Sequence, residues 1–478
     1  MKSNRRRRAV WLASIALTLS ACANMSDTRS QATMRNADSL GPSAQLELAS
    51  ALQATWWREF GDEQLDRLIE EALRSNPSLK IVQARLQRAQ AGVDATAGAD
   101  LPQLNFGFDA MRQKFNSTGL YPPPLAGNVY QTGTAQFSGS WELDFFGKNS
   151  AALAAALGTA RAVQADADAA RTLLASNVAR SYFQLLRLNE QIGIARRLLA
   201  QREQSLKLVH ERFQAGLDTR LELRQSEGSL PEARQQIEAL QEQMNLTEHA
   251  ISALLGQPGQ ALALALPAQA KVRRAVLATS LPADLLGRRA DITAARWRVE
   301  AATQDVSYAR SLFYPNINLV AFAGLSSIGL QRLIDSGSEQ WGVGPALRLP
   351  LFDGGRLRAN LRGRSADLDA AIESYNAAVI DAVRDVADQL ASIQSVARQQ
   401  VEQGLAQAAA ENAYSIALQR YEAGLVNLLT VLNAETAVLN QRRLGVDLAA
   451  RALDTQVALM RALGGGYQSD LPAALAQK

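Results

Sequence analysis

The sequence predicts a mixed α and β chain in which one unit of helix, strand, strand, long helix, tip and helix occurs twice. Three observations predict it. An internal repeat keeps its spacing over long distances, apolar periods of three and four run far beyond an ordinary helix, and four short segments have a period of two.

The repeat sets the organisation. Residues 212–256 open with Arg212-Phe213-Gln214-Ala215-Gly216-Leu217 and close with Leu254-Leu255-Gly256. Residues 420–464 open with Arg420-Tyr421-Glu422-Ala423-Gly424-Leu425 and close with Ala462-Leu463-Gly464, at a constant offset of 208. Upstream, Asn76-Pro77-Ser78-Leu79 and Leu101-Pro102-Gln103-Leu104-Asn105 return as Arg289-Ala290-Asp291-Ile292 and Tyr314-Pro315-Asn316-Ile317-Asn318, at an offset of 213. The first repeat is therefore placed at 56–256 and the second at 281–464, with a linker at 257–280 and a tail at 465–478.

Long helices are predicted at about 149–215, 219–255, 356–423 and 427–463. Leu153, Leu157, Ala160, Val163, Ala167, Ala170, Leu174 and Val178 recur at gaps of three and four, as do Leu368, Ile372, Tyr375, Val379, Val383, Val386 and Leu390 in the second repeat, with Leu361 one heptad earlier. The longer pair, roughly 65 residues each, would reach about 100 Å at 1.5 Å per residue. Ala-rich faces such as Ala151 to Ala156 favour helices side by side in a wall.

Strands are predicted at about 103–112, 135–144, 316–325 and 340–349. Leu104, Phe106 and Phe108 alternate with Asn105, Gly107 and Asp109, and Trp341, Val343, Pro345 and Leu347 alternate with Gly342, Gly344 and Ala346. Each segment has the length of a tilted membrane strand. Phe145, Phe146, Phe313, Tyr314 and Phe352 stand at the joints with the helices, where a bilayer interface wants aromatic rings. Backbone groups in hydrocarbon must all be paired, so a membrane sheet has to close on itself, and four strands cannot close. Two chains would bring a filled eight-stranded barrel, whereas three bring twelve strands and room for water. A homotrimer is the smallest ring with a useful pore.

The N-terminus reads as an export signal at 1–21: Arg5 to Arg8, an apolar run from Ala9 to Leu19, then Leu19-Ser20-Ala21-Cys22. This ending resembles the bacterial lipobox, so Cys22, the only cysteine, is the expected lipidation site, and residues 22–55 are a linker leading from the lipid. Ala23 in place of aspartate favours the outer membrane. Loss of Lys2 and Arg5 to Arg8 with the leader takes the formal net charge from +4 to about −1, which leaves no case for nucleic-acid binding.

Three motifs carry a family resemblance. Ser140-Trp141-Glu142-Leu143-Asp144-Phe145-Phe146-Gly147-Lys148, the run from Leu281-Pro282 through Gly287-Arg288-Arg289-Ala290-Asp291-Ile292, and Leu349-Pro350-Leu351-Phe352-Asp353-Gly354-Gly355 closely resemble the outer membrane factor (TolC-like) family, in its NodT-type lipoprotein branch. The resemblance implies a trimeric channel-tunnel, with a twelve-stranded barrel in the outer membrane and a periplasmic α-barrel. It also implies partners: a periplasmic adaptor and an inner-membrane pump, usually of the resistance-nodulation-division type. The chain would be the passive exit duct for substrates that the pump delivers.

Within that frame, the expected adaptor-docking tips are Arg212, Gly216, Leu217 and Arg420, Gly424, Leu425. The glycines suit left-handed turn residues. The leucines would be exposed, and the arginines would bond the last helical carbonyls or touch the adaptor. Asn433 stands where many relatives have an aspartate of the closing constriction, and Leu429, one turn earlier, would supply an apolar ring or pack between helices. Asp381, Asp385 and Asp388 form an expected acidic stripe along the lumen or on a solvated face. His210 and His249 are the only histidines and lie in no ligand-spaced cluster, so neither metal, cofactor nor nucleophilic chemistry is expected. The alternative function is a structural lipoprotein that tethers the outer membrane through coiled coils without a pore.

Overall fold

A computed structural model describes residues 30–35, 53–259, 264, 266–269, 272 and 289–467. The export signal, Cys22, most of both linkers, the Leu281 to Arg288 part of the second motif, and residues 468–478 of the tail lie outside the described residues.

The elements, in chain order, are α1 (Glu63–Ser75), α2 (Pro77–Ala99), β1 (Gln103–Lys114), β2 (Val129–Leu143), α3 (Lys148–Gln214), α4 (Arg220–Leu254), α5 (Ala290–Ser311), β3 (Asn316–Ile328), β4 (Glu339–Arg348), α6 (Arg356–Glu422) and α7 (Leu428–Ala462). A 3-10 turn at Trp56–Phe60 precedes α1. The duplication is visible in the lengths: α3 and α6 have 67 residues each, α4 and α7 have 35 each. Among the described residues no helix is long and apolar enough to cross a membrane. The chain divides into two compact units, one holding 85–164 and 294–376, the other 53–84, 165–293 and 377–467. Each unit draws on both repeats, so compactness cuts across the sequence duplication instead of following it.

The first unit holds the four strands, paired antiparallel in the order β1-β2-β3-β4. The register places Phe106, Phe137, Ala323 and Trp341 in one row, and Leu104, Gly139, Ala321 and Val343 in the next. One face of the sheet is therefore apolar. The opposite face carries Asn105, Ser138, Gln136, Thr134 and Gln340. The apolar face is uncovered: Leu104, Phe106, Phe137, Trp341 and Val343 are all exposed. Among the described residues, β1 and β4 each keep one unpaired edge.

The strands differ from their expected bounds at the loop ends. β2 begins at Val129, six residues before the expected start, and β1 continues to Lys114, which pairs with Val129. There the period of two runs on through Tyr130, Thr132 and Thr134, polar residues that give no apolar alternation. Phe115 is buried at the turn, with its ring 4.9 Å from Tyr121. Below the strands the expected close approach of helices occurs at Gly158. A Cβ there would meet Ala301 of α5 at 3.1 Å.

A described piece of the first linker, residues 30–35, lies against α6. Ser30 Oγ and the amides of Gln31 and Ala32 donate to Asp369 Oδ1 at 2.6, 3.0 and 3.1 Å. These donors hold the Asp369 carboxyl below the usual carboxylate range, led by the Ser30 hydroxyl.

In the second unit, helices stand side by side in the order α4, α3, α7, α6. Leu188, Ile192 and Ala195 of α3 pack on Leu240 of α4. Arg180 and Arg187 of α3 bond Asp454 and Asp447 of α7. Val386 of α6 packs on Leu459 and Ala462 of α7. A second layer covers one side of this wall: Trp56, Phe60, Leu65, Leu68 and Ile69 bury against Tyr182, Phe183 and Leu186 of α3 and Leu453, Val457 and Met460 of α7. Asp62 caps α1 through the amides of Gln64 and Leu65, and its other oxygen accepts the Tyr182 hydroxyl at 2.7 Å, fixing this layer on the wall.

Candidate functional site

Both tips are built by one local device. At the end of α3 the Leu217 amide donates to the Arg212 carbonyl at 2.9 Å and the Gly216 amide to that of Phe213 at 3.0 Å. At the end of α6 the Leu425 amide donates to Arg420 at 2.8 Å and the Gly424 amide to Tyr421 at 2.9 Å. This double bond pattern closes a helix only when the turn residue is left-handed, and Gly216 and Gly424 have φ of 75° and 74°. The following helices are capped at once. Thr219 and Glu222 form a capping box on α4, and the Asn427 side chain accepts from Thr430 on α7. The chain thus reverses in a few residues, and Leu217 and Leu425 are left about two-thirds exposed, at 66% and 68%.

The Arg212 side chain does not bond the last helical carbonyls. The last carbonyls are already satisfied by backbone amides, so the Arg212 guanidinium turns to the carboxylate just past the turn. Its Nε donates to Asp218 Oδ2 at 3.2 Å, and it lies 4.6 Å over the Tyr421 ring. The Tyr421 hydroxyl donates to the same oxygen at 2.5 Å. Burial, then the Asp218 carboxylate, push the Tyr421 hydroxyl far above its ordinary value. Arg420 is exposed and its side chain bonds nothing among the described residues.

Leu429 and Asn433 sit one turn apart on α7, Leu429 half exposed and Asn433 exposed, so Leu429 does not pack between helices of its own chain. The stretch Asp381, Asp385 and Asp388 is not a uniform acidic stripe. Arg384 lies 3.2 Å from Asp381, and Arg289 and Arg384 lie 3.5 and 3.8 Å from Asp385, whereas Asp388 is exposed and has no ion pair among the described residues. Arg289 also grips Asp291 at 2.6 Å. Burial would raise the Asp291 carboxyl, but this pairing outweighs it and holds it below the usual range.

One polar cluster escaped sequence reasoning. Glu435, 4% exposed, accepts from Arg202 Nε at 3.1 Å, while Arg202 Nη1 donates to the Ser229 carbonyl at 2.7 Å. The cluster joins α3, α4 and α7 above the tips. Its signal was present: Leu428, Val431, Glu435 and Val438 are one buried stripe with a single acid in it.

A sheet with a bare apolar face, a layered wall of long helices and paired reversals at one end define a class: the outer-membrane channel subunit. The model of the outer membrane efflux protein family matches residues 68–257 and 281–465, and the chain belongs to that family. It is 34% identical to the multidrug resistance outer membrane protein MdtQ of Escherichia coli O6:H1 over 469 residues, 95% of this chain and 97% of that protein. It is 35% identical to the pyoverdine export outer membrane protein OpmQ of Pseudomonas aeruginosa, over 87% of this chain and 88% of that one. Among solved structures, the outer membrane protein VceC of Vibrio cholerae superposes with a TM-score of 0.82 at 34% identity, covering 87% of this chain and 100% of VceC. The chain is accordingly an outer-membrane efflux protein with the channel-tunnel fold.

Proposed function

We propose that the chain works as a homotrimeric, lipid-anchored exit duct, passive itself, in a three-part export machine. The observation that carries this reading is the four-stranded sheet with an uncovered apolar face and two unpaired edges. Such a sheet is stable in a membrane only if its edges are paired, and three copies supply a closed barrel wide enough for water. A tether has no use for it. The exposed leucines at both tips, repeated around a threefold axis, form the apolar ring on which a periplasmic adaptor docks. The adaptor in turn connects to an inner-membrane pump of the resistance-nodulation-division type. Leu429 and Asn433 line the constriction, and Asp388 is the acid left to face solvent or lumen. As the relatives named for multidrug resistance and pyoverdine export suggest, the cargo is a small exported compound.

Light scattering of the purified protein in detergent should give about three times the mature chain mass after micelle correction, and planar bilayers should show conductance steps. A conducting monomer would refute the ring argument.

A further inference from the structure

Helix α7 carries Asn433, Asn440, Asp447, Asp454 and Arg461 at intervals of seven, a single face in a supercoiled helix. Arg443 and Arg451 flank it, four residues before and after Asp447. The two acids of this face are already compensated. Asp454 accepts from Arg180 Nε and Nη2 at 2.5 and 3.1 Å, and Asp447 from Arg187 Nη1 at 3.0 Å and Gln191 Nε2 at 2.7 Å. Of the four α7 arginines, Arg442 pairs with Glu411 at 2.9 Å and the other three are not compensated. Arg443, Arg451 and Arg461 are exposed, and their side chains make no ion pair or hydrogen bond among the described residues. The face therefore keeps uncompensated positive charge at three successive levels.

The side on which it lies follows from the second layer. Leu453, Val457 and Met460 point under α1, and from Ala452 to Ala462 the positions that escape burial are Asp454, Ala458 and Arg461. In a ring of such walls, a layer on the inside would fill the passage, so α1 lies outside. The opposite face, which also carries Asn433, then lines the passage. This step rests on reading the chain as a ring-forming duct.

We propose that Arg443, Arg451 and Arg461 make the passage favour anionic cargo, that is, organic solutes carrying a carboxylate or similar acid group. Successive rings of one sign in a confined aqueous path raise the local concentration of counter-charged solute. Arg443, Arg451 and Arg461 stand eight and ten residues apart, about 12 and 15 Å along the helix. That spacing offers several weak sites, which permits exit as well as entry. Asn433 adds no charge to oppose them.

The test uses the full-length trimer in planar lipid bilayers under a potassium chloride gradient. Chloride should be favoured over potassium by at least about threefold, which a passage potential of only ~0.5 kT would produce. The R443Q/R451Q/R461Q variant should lower that ratio to about one or below, whereas R74Q, on the outer layer, should leave it unchanged. If the triple variant does not assemble, R451Q alone should lower the ratio. Potassium preference in the native channel, or a native ratio in the assembled arginine variant, would overturn the proposal. A protein that forms no pore at all overturns the duct reading itself, and this proposal with it.

Discussion

The Tyr421 hydroxyl donates to Asp218 Oδ2 at 2.5 Å and so ties the last turn of α6 to the residue just past the first tip. The tie runs one way only. At an offset of 208, Phe213 stands where Tyr421 does and Val426 where Asp218 does, so the second tip has neither hydroxyl nor carboxylate to return the bond. Among the described residues the Arg420 side chain has no partner for the same reason, while Arg212 is spent on Asp218. Two tips of one backbone geometry thus differ in what holds them.

Removing the hydroxyl tests this tie. Y421F keeps the ring under Arg212 and loses one bond to a charged group, worth about 1.5–3 kcal/mol. The variant should unfold at lower temperature and show larger single-channel conductance as the tips loosen. Unchanged conductance with a lowered Tm would mean that the bond stabilises without restraining the passage.

The leucines at the turns are tested by charge. L217E/L425E places carboxylates on an exposed apolar ring without touching a buried contact. Cells carrying it should lose export while retaining trimers in the outer membrane. Normal export would reduce the tips to structural turns.

Glu435 sets a pH dependence. Burial holds its carboxyl above the usual range against the pull of Arg202. A group whose folded value is raised contributes stability that is complete below its unfolded value and is lost as pH rises through the folded one. Lowering pH from neutral towards about 4.3, the ordinary glutamate value, should therefore stabilise the native protein relative to E435Q. Thermal unfolding of both proteins across that window checks it, and parallel pH profiles would contradict the assignment.

Lipidation of Cys22 is expected from the Leu-Ser-Ala-Cys ending of the leader. Mass spectrometry of the mature N-terminus should find an acylated cysteine, and a C22S protein should reach the periplasm without that anchor. A free thiol at residue 22 of the cell-derived protein would dismiss the lipobox reading.

By itself the sequence determined the duplicated element order, the four strands and the position of both turns. These are legible because each has a local signature: period two for β1, a three-four period for α3 and α6, and a glycine at 216 and 424 that no other residue replaces without strain. The strand ends were less legible, since polar pairs such as Lys114 with Val129 extend a ladder by backbone bonds that side-chain hydropathy does not report. Only the tertiary structure decided which charges survive. Asp381, Asp385 and Asp388 look alike on a helix wheel, yet of these three Arg289, 96 positions away in the chain, reaches Asp385 alone while also holding Asp291. The Tyr421 partner of Asp218 and the arginine partners of Glu435, Asp447 and Asp454 likewise come from another helix. A pattern along one helix gives the direction of a side chain, but its neutralisation depends on what the neighbouring helix brings within about 3 Å.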